Sequence, residues 1–299
     1  MTSDRRHLLD LDDLTSGELE TILDLCSPER ADPVLAGKGV ALIFEKPSNR
    51  TRNASEMAVV QLGGHPVSIR GEEIGLGVRE SVEDVTRVLA RYHALIGARV
   101  FDHRHLEQMS GVGEVPIVNL LSDLAHPTQV VADLLTLRQR WSELEGHTIA
   151  WVGDGNNVAR SLVIGAALAG VSVRLACPAG HEVDPVAVDA ARAQGVEVYE
   201  TSRPDQAVEG AEAVYTDVWV SMGQEQEARD KEDAFAGYTV TTELMDQAAP
   251  GAVFLHCLPA HRGMEVDAAV IDGPASVVWD QAENRMHAAR AVFQWLVTR

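Results

Sequence analysis

Lysine is almost missing from this chain of 299 residues. Lys38, Lys46 and Lys231 are the whole supply, and the other 22 of its 25 basic residues are arginine. Basic residues are also outnumbered by 45 acidic ones, giving a formal net charge of −20. That balance excludes an extended nucleic-acid footprint, which needs a basic face, and argues against docking on anionic lipid. The lysine shortage has two readings that stay open here: a GC-rich genome, or a high-salt cytoplasm in which an acidic, lysine-poor surface stays hydrated. Cysteine is scarce too. Cys26, Cys177 and Cys257 are too few and too scattered for a disulfide framework or a zinc site. No apolar run approaches the roughly 18 residues that span a bilayer. The opening MTSDRRHLLDLDDL has neither a continuous hydrophobic segment nor a cleavage-site pattern, so no signal peptide is expected. A cytoplasmic, soluble protein is the expectation.

What is present is ordinary globular material, 45% apolar and 23% charged. At about 150 residues per domain the length suggests two domains. Thr15 and Glu18 have capping-box spacing, with Leu14 and Leu19 placed for a hydrophobic staple. A buried strand is expected at Val40–Phe44, then a helix carrying Ala54, Met57, Ala58 and Leu62 that ends at Gly63-Gly64 and Pro66. Further strands are expected at Ala94–Phe101 and Val115–Leu120. Pro127 suits the first turn of the following helix. A second run begins near Gly146, with strands expected at Thr148–Val152, Val171–Ala176, Val196–Tyr199, Ala213–Val218 and Ala252–Leu255. Strand and helix alternating twice over implies an α/β protein with two doubly wound parallel sheets, joined through the helix Val130–Trp141. The charged run Gln224–Asp233 reads as a solvated helix or loop.

Ligands of open α/β sheets bind beyond the carboxyl ends of the strands, so the residues just after each strand carry the interest. Ser48-Asn-Arg-Thr-Arg52 stands where a strand gives way to a helix. It is either an anion site of helix N–H groups and guanidiniums, or a plain Ser48 N-cap flanked by exposed arginines. His126-Pro-Thr-Gln129 holds a candidate oxyanion donor and an amide, or a structural histidine. Gly153-Asp-Gly-Asn-Asn157 invites a dinucleotide reading but fails it. Val158 replaces the third glycine, and no acidic residue ends the next strand at Ala176-Cys177-Pro178. Asn156 and Asn157 suit a small polar ligand instead. Asp217, ahead of Val-Trp-Val-Ser-Met-Gly223, is a candidate for an ammonium group or a turn residue. Cys257 beside His256 is a small hydrophobe or a thiolate favoured by the histidine. The histidines lack metal-ligand spacing, and neither metal nor cofactor is expected.

Taken together, FEKPSNRTR, QLGGHP, HPTQ, GDGNN, DVWVSMGQE, FLHCLPAHRG and QAENRMH resemble the carbamoyltransferases, in order and approximate spacing over almost the whole chain. SMG and HCLP point most closely to the ornithine carbamoyltransferases. An aspartate carbamoyltransferase would bring a lysine near residues 72–80, where this chain has none. The resemblance implies two domains with the ligand site in the cleft between them: residues 1–130 for carbamoyl phosphate, 131–280 for ornithine, and a helix at 281–299 packing back on the first. It implies that Ser48, Asn49, Arg50 and Thr51 bind phosphate, and that Arg99, His126 and Gln129 bind the carbonyl and amide end. Arg285 completes that set. Asn157, Asp217, Ser221 and Met222 would hold ornithine, while Cys257 and Leu258 lie near the attacking amine and the carbamoyl group. Arg99, His126 and Cys257 would be the catalytic residues, and the Leu258–Pro259 bond would be cis. The implied reaction is carbamoyl transfer from carbamoyl phosphate to ornithine, giving citrulline for arginine biosynthesis, in a cytoplasmic homotrimer or a multiple of trimers. The local cation cluster is expected to be Arg50, Arg52, Arg99 and Arg285.

Three positions depart from the family pattern. Asn49 replaces a threonine, Gly75 a glutamine or histidine that reaches a neighbouring subunit's site, and Ala94 an aspartate. The missing side chains at 75 and 94 are expected to weaken carbamoyl phosphate binding, and Gly75→Gln to be neutral or to tighten it. Two other readings remain at this point: a related amine such as putrescine or an N-acylornithine as acceptor, and a catalytically silent binding subunit.

Overall fold

The protein is described from a computed structural model covering residues 5–219 and 233–299. It divides into two compact units, Met1–Leu135 with Glu283–Arg299, and Thr136–Ala282. The first unit contains α1 (Ser16–Leu25), β1 (Gly39–Phe44), α2 (Arg50–Gln61), β2 (His65–Arg70), α3 (Gly71–Ile74) and α4 (Val82–Tyr92). It continues with β3 (His93–Arg99), α5 (His103–Val112), β4 (Ile117–Leu121) and α6 (Pro127–Trp141), whose last residues enter the second unit. The capping box expected at α1 is there: Glu18 N–H donates to Thr15 Oγ1 at 3.3 Å and Thr15 N–H to Glu18 Oε2 at 3.0 Å. The sheet runs β2-β1-β3-β4 and is parallel throughout.

Burial explains the strand sequences. β1 reads GVALIF and is covered on both faces, as a central parallel strand must be. β2, by contrast, is half-exposed. The sequence reading stopped the preceding helix at Pro66 and placed no strand there. The structure tolerates Pro66 inside β2 because β2 is the edge strand, where a missing N–H breaks no ladder on the open side.

The second unit contains β5 (Thr148–Val152), α7 (Asn157–Leu168), β6 (Ser172–Ala176), α8 (Pro185–Ala193), β7 (Val198–Thr201) and α9 (Pro204–Val208). After them come β8 (Ala213–Thr216), α10 (Thr242–Met245), β9 (Val253–His256), α11 (Ala268–Ile271) and α12 (Val278–Val297), which ends in the first unit. Its sheet, β7-β6-β5-β8-β9, is again all parallel. Every residue of α7 from Val158 to Ala167 is buried, so this helix is apolar on nearly all sides rather than on one stripe. Among the described residues no helix is long and apolar enough to cross a membrane.

Each strand order reverses once, between β1 and β3 in the first sheet and between β5 and β8 in the second. A crevice opens at the carboxyl ends where neighbouring crossovers leave in opposite directions. Residues 48–52 and Arg99 follow or end the strands of the first reversal and residues 153–157 and Asp217 those of the second, while residues 126–129 and 257–259 come after the neighbouring edge strands β4 and β9.

Candidate active site

At the first reversal, β1 exits through Lys46-Pro-Ser-Asn49 into α2, and β3 ends on Arg99. No side chain caps the start of α2. Its N-cap is Asn49 rather than Ser48, so the plain Ser48 cap is excluded and the leading N–H groups keep their pull on anions. Asn53 Nδ2 donates to Asn49 Oδ1 at 3.0 Å, so the Asn49 oxygen is engaged within α2. Arg99 is 7% exposed and donates from Nη1 to Ser48 Oγ at 3.4 Å and to Thr51 Oγ1 at 3.3 Å. Arg285, equally buried on α12, donates from Nη2 to the same Thr51 oxygen at 2.6 Å. Two guanidiniums therefore converge on one uncharged hydroxyl. Arg50 adds a third cation; its Nε is buried without a hydrogen-bond partner, and among the described residues it pairs with no carboxylate.

The electrostatic consequence is visible on two bases. His126, at the entry to α6, is held well below the ordinary imidazole value by burial, with the charges of Arg285 and Arg99 adding to it. Lys46 is lowered by burial and by Arg99, and its ammonium lies 4.5 Å from the Phe101 ring centre. Burial, the larger cause at both, opposes charge of either sign; the smaller contribution of Arg99 and Arg285 is the part that favours an anion. His126 is consequently a neutral imidazole that can donate to a carbonyl oxygen without carrying charge. Gln129, fully buried, donates from Nε2 to Asp133 Oδ1 at 2.8 Å. Its Oε1 is buried with no partner, an acceptor aimed at nothing in the protein. Asp133 was not singled out in the sequence; it accepts the Gln129 amide from one turn further along α6.

Three expectations need correction here. Arg52 does not join the cluster: it pairs with Glu56 at 2.8 Å on the exposed side of α2. Ala94 is the second residue of β3, at the end of the strand opposite Arg99. Five residues at about 3.3 Å each put some 16 Å between them, so a side chain missing at 94 cannot weaken binding by lost contact. Gly75 has φ of 56°, and a Cβ there would stand 2.8 Å from Arg79 Cβ. This loop is built around glycine, against the expectation that a glutamine fits it freely.

At the second reversal three strand exits meet. Trp151 Nε1 donates to Asp154 O at 3.0 Å and Thr216 Oγ1 to Val152 O at 2.6 Å, fixing the turns after β5 and β8. Asp217, 6% exposed, follows β8. Its Oδ2 accepts from Asn156 Nδ2 at 2.9 Å and its Oδ1 from Cys257 Sγ at 2.8 Å. Each carboxylate oxygen keeps a further lone pair, the pattern that receives an ammonium group. Asn156 is not available as a ligand group, because its Oδ1 caps α7 by accepting from Val158 and Ala159 N–H. Asn157, the first residue of α7, is half-buried. Ser221 and Met222 lie outside the described residues.

The dinucleotide reading fails in the structure as well. A Cβ on Gly155 would stand 2.4 Å from Val183 N, and Gly155 N–H donates to His181 O at 2.8 Å. The glycine admits the protein's own loop, not a pyrophosphate. Of the two readings of Cys257, the thiolate favoured by His256 finds no support, because the His256 ring is engaged elsewhere. Its Nδ1 accepts from Leu258 N–H and its Nε2 meets Glu265, while the Cys257 thiol donates to Asp217. Ligand atoms of Asp217, His256 and Cys257 fall within 4.8 Å of one another. With both imidazole nitrogens engaged, that cluster is a hydrogen-bond network rather than a metal cage. The Leu258–Pro259 bond is cis, as expected.

Comparison with known proteins agrees with this geometry. Residues 6–139 match the carbamoyl-P binding domain of aspartate/ornithine carbamoyltransferases, and residues 145–296 match their Asp/Orn binding domain. The chain is 46% identical to an ornithine carbamoyltransferase of Acidothermus cellulolyticus, over 98% of this chain and 96% of that one. It is 47% identical to that of Thermus thermophilus, over 98% and 97%. Solved structures of ornithine carbamoyltransferases from Thermus thermophilus (TM-score 0.90, 45% identity, 98% and 99% covered) and Pyrococcus furiosus (0.92, 42%, 97% and 96%) share its fold. The chain belongs to the aspartate/ornithine carbamoyltransferase family.

Proposed function

We propose that the protein transfers the carbamoyl group of carbamoyl phosphate to the δ-amine of L-ornithine, giving L-citrulline and phosphate. The observation that carries this is the convergence of Arg99 and Arg285 on Thr51 beside a neutral His126 and the unsatisfied Gln129 Oε1. A phosphate matches the cations, a carbonyl oxygen matches the imidazole N–H, and a carbamoyl NH2 matches the glutamine oxygen. Few metabolites carry those three groups in a row.

In this reading Ser48, Asn49, Arg50 and Thr51, with Arg99 and Arg285, hold the phosphate. His126 and Arg99 bind the carbonyl oxygen, and Gln129 orients the amide. Asn157, Asp217, Ser221 and Met222 hold ornithine, with Cys257 and Leu258 at the reacting end. The deprotonated δ-nitrogen attacks the carbonyl carbon, a C–N bond forms, and negative charge grows on the carbonyl oxygen. The C–O bond to phosphate then breaks, and phosphate leaves with the proton that the attacking nitrogen gives up, its remaining charge matched by the guanidiniums. The protein's contribution is orientation and fixed positive charge. Net charge of −20 does not oppose this, because exposed charges beyond about 10 Å are screened.

A homotrimeric assembly in the cytoplasm and a role in arginine biosynthesis belong to the same proposal. Self-association through the first unit is supported by its exposed apolar residues, among them Val78 at 93%, Tyr92 at 70% and Val60 at 50%. The test is initial rates of carbamoyl transfer to ornithine, putrescine, N-acetylornithine and aspartate. A clear preference for ornithine is expected. Preference for another amine would locate the error at Asp217 and its neighbours, and no transfer from folded protein would overturn the proposal.

A further inference from the structure

Behind the turn that bears Cys257 and Leu258 lie two ionisable side chains that the transfer reaction leaves unused. His256 and Glu265 are both completely buried. Leu258 N–H donates to His256 Nδ1 at 2.9 Å, so that nitrogen carries the lone pair and Nε2 carries the proton. The Nε2–H meets Glu265 Oε1 at 3.2 Å, and the same oxygen accepts the backbone N–H of His261 at 2.5 Å. Glu265 stays ionised: burial pushes its pKa up, but the bonds from His256 and His261 outweigh that and leave it below the ordinary value. The carboxylate thus selects one imidazole tautomer, and the tautomer selects one backbone N–H. That N–H belongs to a leucine with φ of 60°, in the left-handed region that branched side chains avoid. Such a conformation persists only where the surroundings impose it. One residue earlier, the Cys257 thiol makes its bond to Asp217.

We propose that Glu265 and His256 form a positioning relay: Glu265 fixes the Nε2–H tautomer of His256, and His256 Nδ1 holds Leu258 N–H, so that Cys257 and Leu258 stand correctly for carbamoyl transfer. The relay rests on the carbamoyl-transfer reading above. It assigns the first histidine and the distant glutamate of HCLPAHRGME a task that neither performs by touching substrate. Loss of the Nδ1 acceptor releases the Leu258 backbone, and a displacement of about 1 Å at a reacting group costs about 100-fold in rate.

The two half-replacements of imidazole separate this from mere packing. His256→Asn puts an oxygen where Nδ1 stands and keeps an acceptor for Leu258 N–H, as in an Asx turn. His256→Gln supplies a polar group only at the Nε2 end. Both are expected to lower the melting temperature by similar amounts. At a temperature where both are folded, the asparagine variant keeps kcat/KM for carbamoyl phosphate within about threefold of the parent, and the glutamine variant loses about tenfold or more. Amide hydrogen exchange at Leu258 follows the same division, protected in the first and fast in the second. Equal kcat/KM and equal exchange in the two variants would overturn the relay. If neither variant folds, Glu265→Gln, which retains an acceptor for His256 and His261, is compared with Glu265→Met in the same assays. The relay requires the glutamine variant to be the more active, and parity would overturn it. Wild-type turnover of ornithine tests the parent reading separately, and Leu258 exchange reports on the relay whichever amine is used.

Discussion

The two units place their functional residues at the same topological point and hold them by opposite means. In the first, like charges are gathered: Arg99 and Arg285 share Thr51 and add to the lowering that burial imposes on His126, as Arg99 does on Lys46. In the second, a single carboxylate is tied on both oxygens by neutral donors, Asn156 and Cys257. The first brings two cations onto one neutral hydroxyl, where an arriving anion adds a partner of opposite charge. The second satisfies itself, and a ligand adds to a network already closed. Function and stability should therefore part company in the first unit and travel together in the second.

The largest effect expected from this contrast is at Arg99. Arg99→Gln removes a buried cation that meets the reacting anion, a loss of about 4 kcal/mol in transition-state binding, or roughly three orders of magnitude in kcat/KM for carbamoyl phosphate. Its melting temperature should change little, since relief of like-charge crowding offsets the loss of its bonds to Ser48 and Thr51. A variant that loses stability in step with activity would break the comparison. Next comes Asp217→Asn, which withdraws the charge meant for an ammonium group and disturbs the bond from Cys257. KM for ornithine should rise about 100-fold, near 3 kcal/mol, with carbamoyl phosphate affinity retained. Here the melting temperature should fall too, by the equivalent of about 1 kcal/mol for the broken hydrogen bond.

A smaller effect sharpens the electrostatic half of the contrast. His126 is neutral in the folded protein because its pKa is depressed by burial and by Arg285 and Arg99. In the unfolded chain it takes up a proton below about pH 6.5, so there the unfolded state binds more protons than the folded one. Stability therefore falls as the pH drops below that value, by at most about 1.4 kcal/mol per pH unit for this one group. His7, His93 and His287 are lowered as well and act in the same direction. Urea midpoints measured from pH 7.5 to 5 for the wild type and His126→Gln should show a shallower acid decline in the variant. Parallel curves would mean that His126 is not held neutral.

Much of this was legible in the sequence because it is carried by spacing. The capping box of α1 and the strand-then-polar-motif rhythm placed His126, Asp217 and Cys257 at strand or helix ends, whereas Arg99 was read inside a strand at Ala94–Phe101 and entered through the family resemblance; the structure ends β3 on it. What was illegible depends on the direction of a side chain. Asn156 and Asn157 are adjacent letters, yet one caps a helix and the other is its first residue. His256 looked like a partner for the next residue, while its ring turns to Glu265, nine positions away, with no periodic signal joining them. Arg52 was a different failure, since its position could have been reasoned out. Two positions along a helix lie about 200° apart, so Arg50 and Arg52 never shared a face. β2 was missed for a third reason, because the tolerance of Pro66 depends on strand order, which local sequence does not state.

Gly75 gives the smallest effect, at a place where neither way of holding a site applies. It ends α3 with φ of 56° and lies against Arg79, so any Cβ meets the neighbouring side chain at 2.8 Å. Gly75→Gln forces an L residue into the left-handed region, at about 1–2 kcal/mol, before any shift of Arg79 is counted. Arg79 is anchored through Nη1 to Glu73 O at 3.2 Å, so the shift disturbs that contact as well. The variant should melt several degrees lower, with kcat/KM per folded molecule close to the parent's. Gly75→Ala makes the interpretation unambiguous: it carries the backbone penalty without a long polar side chain. If the two variants lose the same stability, the loop is constrained by its backbone and by the Cβ contact with Arg79, not by what lies beyond Cβ. If the glutamine variant is instead the more stable and binds carbamoyl phosphate more tightly, a side chain at 75 has found a partner, and the departure at this position is a functional loss rather than a different loop design.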